Sequence, residues 1–234
     1  MKRILVVIAI ISLTFKGLAQ EDNFKNFVLG LKFAPSIDWM QPNTRDYKSD
    51  GVVMKYSYGL MGDIMIGGSG HYYITVGLQF KNAGGKLTYD NMIDYDNDDI
   101  FEFANVSRKY SASYISIPVA FKLKTAQFDR FTFFGVFGID NAIRTKAVAN
   151  DEYKLTNATI KLEKININKD VHLFKESILL GAGLEYTISG NTKAFTGINF
   201  YNGFTDMLKG SNQLHDVEEN AINRSVELVL GISF

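Results

Sequence analysis

Apolar and polar positions alternate with a period of two over eight stretches of the chain, and no apolar stripe at helical spacing is sustained. The cleanest stretch, 112–124, sets Ile115, Ile117, Val119, Phe121 and Leu123 against Tyr114, Ser116, Pro118, Ala120 and Lys122. The others run over 27–38, 53–66, 72–82, 130–140, 176–188, 194–204 and 225–234. The stretch at 130–140 is aromatic on both faces and does not declare which side is which. Each stretch predicts a β-strand, because successive strand side chains point to opposite sides.

The connections alternate in length. Short ones at 67–70, 125–129 and 189–192 are separated by long, mostly polar ones at 40–52, 83–111, 141–175 and 205–221. Tight turns at one end and long loops at the other are the layout of an outer-membrane barrel, with periplasmic turns and extracellular loops. An even strand number returns both ends of the chain to the turn side. The expected architecture is therefore all-β: an eight-stranded antiparallel up-and-down transmembrane β-barrel with short periplasmic turns and long extracellular loops.

Polarity assigns the two faces. The apolar faces carry almost no charge, whereas the opposite faces carry Lys32, Asp63, Gln79, Lys122, Glu185, Asn199 and Glu227 among many small residues. A charge on the lipid face costs about 2–4 kcal/mol at the bilayer midplane, so the charged face belongs inside. A ligand-carrying soluble barrel would reverse this, with apolar residues lining its interior. Eight strands enclose an interior just wide enough for side chains to fill. These seven residues are expected to form a hydrogen-bonded polar plug, with opposite charges placed close together.

The two ends of the chain fit this layout. Lys2 and Arg3 precede an apolar run from Ile4 to Phe15, and small residues follow at Gly17 and Ala19. Residues 1–19 are expected to be a cleaved export signal, too short to span a bilayer, leaving 20–234 as one barrel domain. No cysteine stands at the cleavage point, so no lipid anchor is expected there. At the other end Val226, Leu228, Leu230, Ile232 and Phe234 share one strand face, as a closing strand requires. Phe234 is expected at the periplasmic edge of the membrane.

Composition narrows the partners. Lys+Arg and Asp+Glu are both 25, which leaves no basic field for nucleic acid. The absence of cysteine removes disulfides and thiolate metal sites together. No charge run or linker divides the chain.

Three strand motifs carry a resemblance. Tyr114-Ile115-Ser116-Ile117-Pro118-Val119-Ala120-Phe121-Lys122 resembles the Y-x-x-I-P-x-x-x-K strand of the PorT-like small outer-membrane β-barrel proteins. Gly181-Ala182-Gly183-Leu184-Glu185-Tyr186 resembles that family's G-A-G-x-E-Y strand, and Ile198 to Thr205 its R-Y-x-x-G-L-T strand, with Asn199 where the family often has Arg. The resemblance implies the barrel fold, outer-membrane residence in a Gram-negative cell, and recognition of Phe234 by the barrel-assembly machinery. The family's namesake is linked to a protein-secretion system, a role that strand motifs shared across the family do not carry over.

Candidate chemistry is sparse. The three histidines stand as His71-Tyr72-Tyr73, His172-Leu173-Phe174 and His215-Asp216-Val217. None matches the His-x-Ser pair of barrel lipid A deacylases, and an adjacent His-Asp alone does not position a base. Asp94, Asp96 and Asp98 have the spacing that opens a calcium loop, because oxygen ligands must converge on one hard cation. Position six of that loop is Asp99 instead of Gly, and position twelve is Asn105 instead of Glu, which favours a solvated acidic loop. Gly181-Ala182-Gly183 lacks the following helix of a nucleotide fingerprint and fits a strand packed closely in the lumen. Trp39, Tyr72, Tyr110, Phe204 and Phe234 are expected in interfacial girdles. The expected protein has no catalytic centre, cofactor or metal. It meets outer-membrane lipid, the assembly machinery and other envelope or secretion proteins through its loops. A lipid-modifying barrel enzyme and a narrow solute pore remain the competing readings.

Overall fold

The computed structural model describes residues 26–94, 101–155, 158–212, 214 and 217–234. The expected signal at 1–19 lies outside the described residues, as do Asp96, Asp98, His215 and Asp216.

Twelve strands are present among these residues: β1 (Phe27–Pro42), β2 (Lys48–Ser49), β3 (Val53–Ile66), β4 (Tyr72–Ile93), β5 (Glu102–Lys124), β6 (Phe131–Lys154), β7 (Thr159–Asn166), β8 (Phe174–Ser189), β9 (Thr192–Gly203), β10 (Ser211–Asn212), β11 (Val217–Glu218) and β12 (Ala221–Ser233). Eight of them form a ring of antiparallel pairs, β1-β3-β4-β5-β6-β8-β9-β12, with β12 pairing back onto β1 from Gly30↔Ser233 to Pro42↔Ala221. This is the up-and-down barrel. β2 adds to β4 and β7 to β6 outside the ring, and β10 pairs only with β11.

Closure leaves no open edge in the membrane, where an unpaired backbone group has no water to bond. At the turn end, Gly67 and Gly68 take φ of 71° and 67°, the left-handed conformation that this tight connection needs and that a side chain would resist.

The barrel wall is lopsided. Pairing of β1 with β3 stops at Asp38↔Val53, and that of β8 with β9 at Ser177↔Gly203. In contrast, β4 and β5 stay paired to Ile93↔Glu102, and β5 and β6 to Asn105↔Lys154. From Lys81 to Ile93 this extension is about 40 Å long at roughly 3.3 Å per residue. Most of 83–111 and 141–175, expected as loops, is therefore strand.

The reason lies in the side chains. Within the membrane Leu78, Phe80, Ile117, Val119 and Phe121 face outward, while Gln79, Lys81, Ser116 and Lys122 face in. Above it the same inward side carries Ala83, Leu87 and Tyr89 on β4 and Ala104, Val106, Tyr110 and Ala112 on β5, all buried. The polarity inverts along an unbroken strand. A segment that is apolar inside and polar outside belongs in water, so the inversion marks where the wall leaves the bilayer.

On β6 the change needs a bulge. Ser113 pairs with Lys146 but Tyr114 with Arg144, so Thr145 is an extra residue. It turns the inward set from even positions (Asp140, Ala142) to odd ones (Ala147, Ala149, Asp151, Tyr153). Ala147, Ala149 and Tyr153 join Met40, Tyr47, Ile167, Val171, Met207 and Leu208 in an apolar core above the membrane.

Candidate functional site

The inside of the barrel is filled by charged side chains stacked at three levels. Nearest the turn end, Lys122 Nζ, from β5, lies 2.8 Å from both Asp63 Oδ2 and Glu185 Oε1. Lys124 Nζ joins Glu185 Oε1 at 2.8 Å, Lys193 Nζ reaches Glu185 Oε2 at 3.3 Å, and the Thr75 hydroxyl donates to Asp63 Oδ1 at 2.6 Å. The Lys122 ammonium also sits 4.5 Å from the centre of the Phe134 ring.

At the middle level Glu227 accepts from Lys32 and Lys81 at 3.3 Å each and from the Ser57 hydroxyl at 3.2 Å. Lys81 bridges onward to Asp140 Oδ2 at 3.2 Å and lies 3.1 Å over the Tyr201 ring, while Ser116 donates to Asp140. At the upper level Lys175 donates to Asn223 Oδ1 at 2.7 Å, and Ser36 to Asp38 at 2.6 Å.

All seven residues expected in the lumen are buried inside the ring. Five of them, Lys32, Asp63, Lys122, Glu185 and Glu227, meet in the two lower clusters. Gln79 and Asn199 join neither and line a cavity of about 50 Å³ between them. Sequence reasoning missed Lys81, Lys124, Asp140, Asp38 and Lys175. Lys81 and Lys124 share the period-two face of residues it did choose. Asp140 sits in the strand whose faces were unassigned. Asp38 and Lys175 stand at strand ends, where the alternation loses its contrast.

Together, buried Lys32, Lys81, Lys122, Lys124 and Lys175 balance buried Asp38, Asp63, Asp140, Glu185 and Glu227. All of them but Asp38 and Lys175 are joined by ion pairs, and a neutral, paired set is the arrangement in which buried charge is least costly.

A second polar cluster lies in the extracellular extension. Arg108 makes a bidentate pair with Asp151, at 2.8 Å from Nε and 2.6 Å from the terminal nitrogen, and the Tyr153 hydroxyl donates to Asp151 at 2.7 Å. Tyr47 stacks on Tyr89 at 4.2 Å and donates to Glu219 Oε1 at 2.7 Å. Burial pushes the Glu219 carboxyl above the usual carboxylate range and the Tyr153 phenol up to about 12. A cavity of about 370 Å³ opens between Tyr89, Arg108, Tyr153 and Glu219.

Other candidates are placed singly. His71 Nδ1 lies 3.0 Å from the Lys124 carbonyl at the turn end, whereas His172 precedes β8 at the opposite end. The two described histidines therefore cannot share a site. Asp94 ends the described part of its loop, and the rest of the calcium candidate falls outside the described residues; among the described residues no cluster of His, Cys, Asp or Glu could hold a metal. Tyr72, Phe204 and Phe234 are exposed on the outer wall, and Trp39 stacks on Phe200 there. Tyr110 is fully buried in the extracellular core instead of a girdle, because it lies past the inversion. Phe234 pairs with β1, its N–H donating to the Leu29 carbonyl at 2.9 Å and its carbonyl accepting from the Leu29 N–H at 3.2 Å.

Solved structures of outer-membrane proteins are similar to this chain at low identity. Neisserial surface protein A shares 10% identity over 89% of this chain and 96% of its own, with a TM-score of 0.44. The outer membrane protein OprG from Pseudomonas aeruginosa shares 9% over 89% and 95%, at 0.43. The outer membrane protease OmpT from Escherichia coli shares 9% over 89% and 96%, at 0.39. Likenesses this distant transfer no activity. No curated protein matches the sequence. The model of the outer membrane protein beta-barrel domain matches residues 18–209, and the chain belongs to that family.

Proposed function

We propose that this is a non-catalytic outer-membrane barrel that acts through its extracellular extension, as a contact surface for other envelope or secretion proteins. The observation that carries this reading is the pairing of a closed lumen with an ordered wall above the membrane. A solute path would have to part at least two buried ion-pair clusters. The β4–β7 extension, in turn, has its own apolar core and a bidentate Arg108–Asp151 clamp, more structure than a simple strand connection needs. Export through a signal at 1–19 and recognition of Phe234 by assembly machinery belong to this reading.

Three measurements on the refolded or expressed barrel test it together. Liposomes carrying the protein should not swell in small sugars, and lipid A from expressing cells should keep its mass. A photo-crosslinker at Lys154 or Lys161 should capture one defined envelope protein in living cells, while the same group at Phe137 on the lipid face should not. Swelling would favour the pore, and altered lipid mass the enzyme. Absence of any capture from the extension would remove the interaction role.

A further inference from the structure

The outer wall just above the lipid-facing band carries a group of lysines that the interaction role does not use. Lys86 on β4 and Lys109 on β5 are directly opposite one another, Cα partners on the outward face. Like charges in that position destabilise a sheet. Lys55 adds a third. β3 separates from β4 beyond Ser57↔Lys81, and two residues further on Lys55 lies across Gly84 to hydrogen-bond Ser111 on β5. A Cβ at Gly84 would collide with the Tyr110 carbonyl oxygen and then meet Lys55 Cε at 3.2 Å, so the lysine stem runs close over a position that the backbone keeps as glycine.

Neither Lys55 nor Lys109 has a carboxylate within ion-pair distance among the described residues. Of the neighbouring acids, Asp50 pairs with Lys86 at 2.7 Å, inside the group itself, and Glu152 takes Lys161 at 3.2 Å. Directly below, Tyr56, Tyr58 and Phe80 are exposed toward lipid.

We propose that Lys55, Lys86 and Lys109, with the Ser111 hydroxyl, form a binding site for the phosphate group of a lipid headgroup in the leaflet around the extracellular rim. The charges supply what a phosphate needs: several ammonium donors converging from adjacent strands, with a hydroxyl between them. The apolar band beneath sets the source. A lipid whose acyl chains lie against Tyr58 and Phe80 brings its phosphate to the height of Lys55, whereas a free anion gains nothing from that wall. Binding also brings a counter-charge to Lys109, where Asp50 alone now tempers the Lys86–Lys109 repulsion.

The test uses the full barrel in nanodiscs of phosphatidylcholine doped with phosphatidic acid, with retained lipids counted by native mass spectrometry. The wild type should retain phosphatidate about tenfold over its share of the bilayer, as expected for a few lysines each contributing modestly at the surface. Lys55→Gln with Lys109→Gln should bring retention to that share without changing phosphatidylcholine. Asp50→Asn should raise retention, because it frees Lys86. That arm decides the matter if the double variant fails to fold. Millimolar inorganic phosphate should not displace the lipid. Equal retention by wild type and double variant overturns the proposal, as does an equal loss from the control Lys154→Gln with Lys161→Gln. Displacement by inorganic phosphate overturns the lipid as the source.

Discussion

Replacing Glu227 with Gln tests the lumen plug at its most connected point. Glu227 is fully buried and takes both Lys32 and Lys81 at 3.3 Å. At an effective dielectric of 20, each pair at that distance attracts by about 5 kcal/mol before desolvation is subtracted. Glutamine keeps the shape and can still accept from Ser57, but it leaves one ammonium in excess in a closed interior. Removing one partner of a buried pair costs about 3–5 kcal/mol, so Glu227→Gln should lose that much.

Lys32→Met alone should cost less, since Glu227 keeps Lys81. Combined with Glu227→Gln it should recover most of the loss, because Lys81 then pairs with Asp140 in a balanced set. Urea unfolding in phospholipid vesicles measures this directly. The single tryptophan, Trp39, reports from the outer wall. A Gln variant within about 1 kcal/mol of wild type, or a double variant no better than the single, would refute a plug held by charge balance.

Inserting one alanine between Lys146 and Ala147 should leave the membrane barrel intact but turn Ala147, Ala149 and Asp151 outward, so that limited trypsin treatment of intact vesicles cuts at Lys154 and Lys161 faster than in the wild type; deleting Thr145, which removes the bulge and keeps the pairing, should not. Glu219 gives a pH dependence. Its folded carboxyl is raised above the ordinary 4.5 by burial, so its contribution is fully present below 4.5 and is lost as pH rises through the folded value. Glu219→Gln should therefore slow hydrogen exchange at the Asn43 and Met207 amides near pH 8 and change little near pH 4; equal effects at both would rule out titration of this group. Removing Phe234 takes away both backbone bonds to Leu29, and the truncated protein should accumulate in its unfolded, heat-unshifted form on gels of the outer-membrane fraction.

The eight membrane strands were legible in the sequence because a lipid-facing wall demands alternation with strong contrast, such as Phe121 beside Lys122. The lumen was legible for the same reason, wherever a charge fell between two large apolar residues. Asp140 escaped because Phe134 and Val136 also face inward around the charged clusters, which erased the contrast on β6. The extracellular wall escaped because its alternation uses small residues. Ala83, Gly85, Ala104, Ala112, Ala147 and Ala149 look like loop composition when the expected apolar face is the outer one. Scored with the opposite sign, Ala83 to Tyr89 alternates as cleanly as the membrane strands, and Ala104 to Ala112 does so except at Arg108, which pairs with Asp151.

That sign change also explains why the extension does not swing free of the barrel. The inward face is continuous on β4 and β5, so the apolar core above rests on the charged plug below, with Asn223 at the junction. Its side chain accepts from Lys175 at 2.7 Å and donates to the Gly84 carbonyl at 2.8 Å, where β4 leaves the membrane. Gly85 admits the Met40 side chain and backbone at the same height, a fit that a Cβ there would block. The extracellular wall is thus fixed to the lumen by one buried amide and one close backbone approach. A contact surface carried on such a mount keeps its shape when no partner is bound, which lowers the ordering cost of binding.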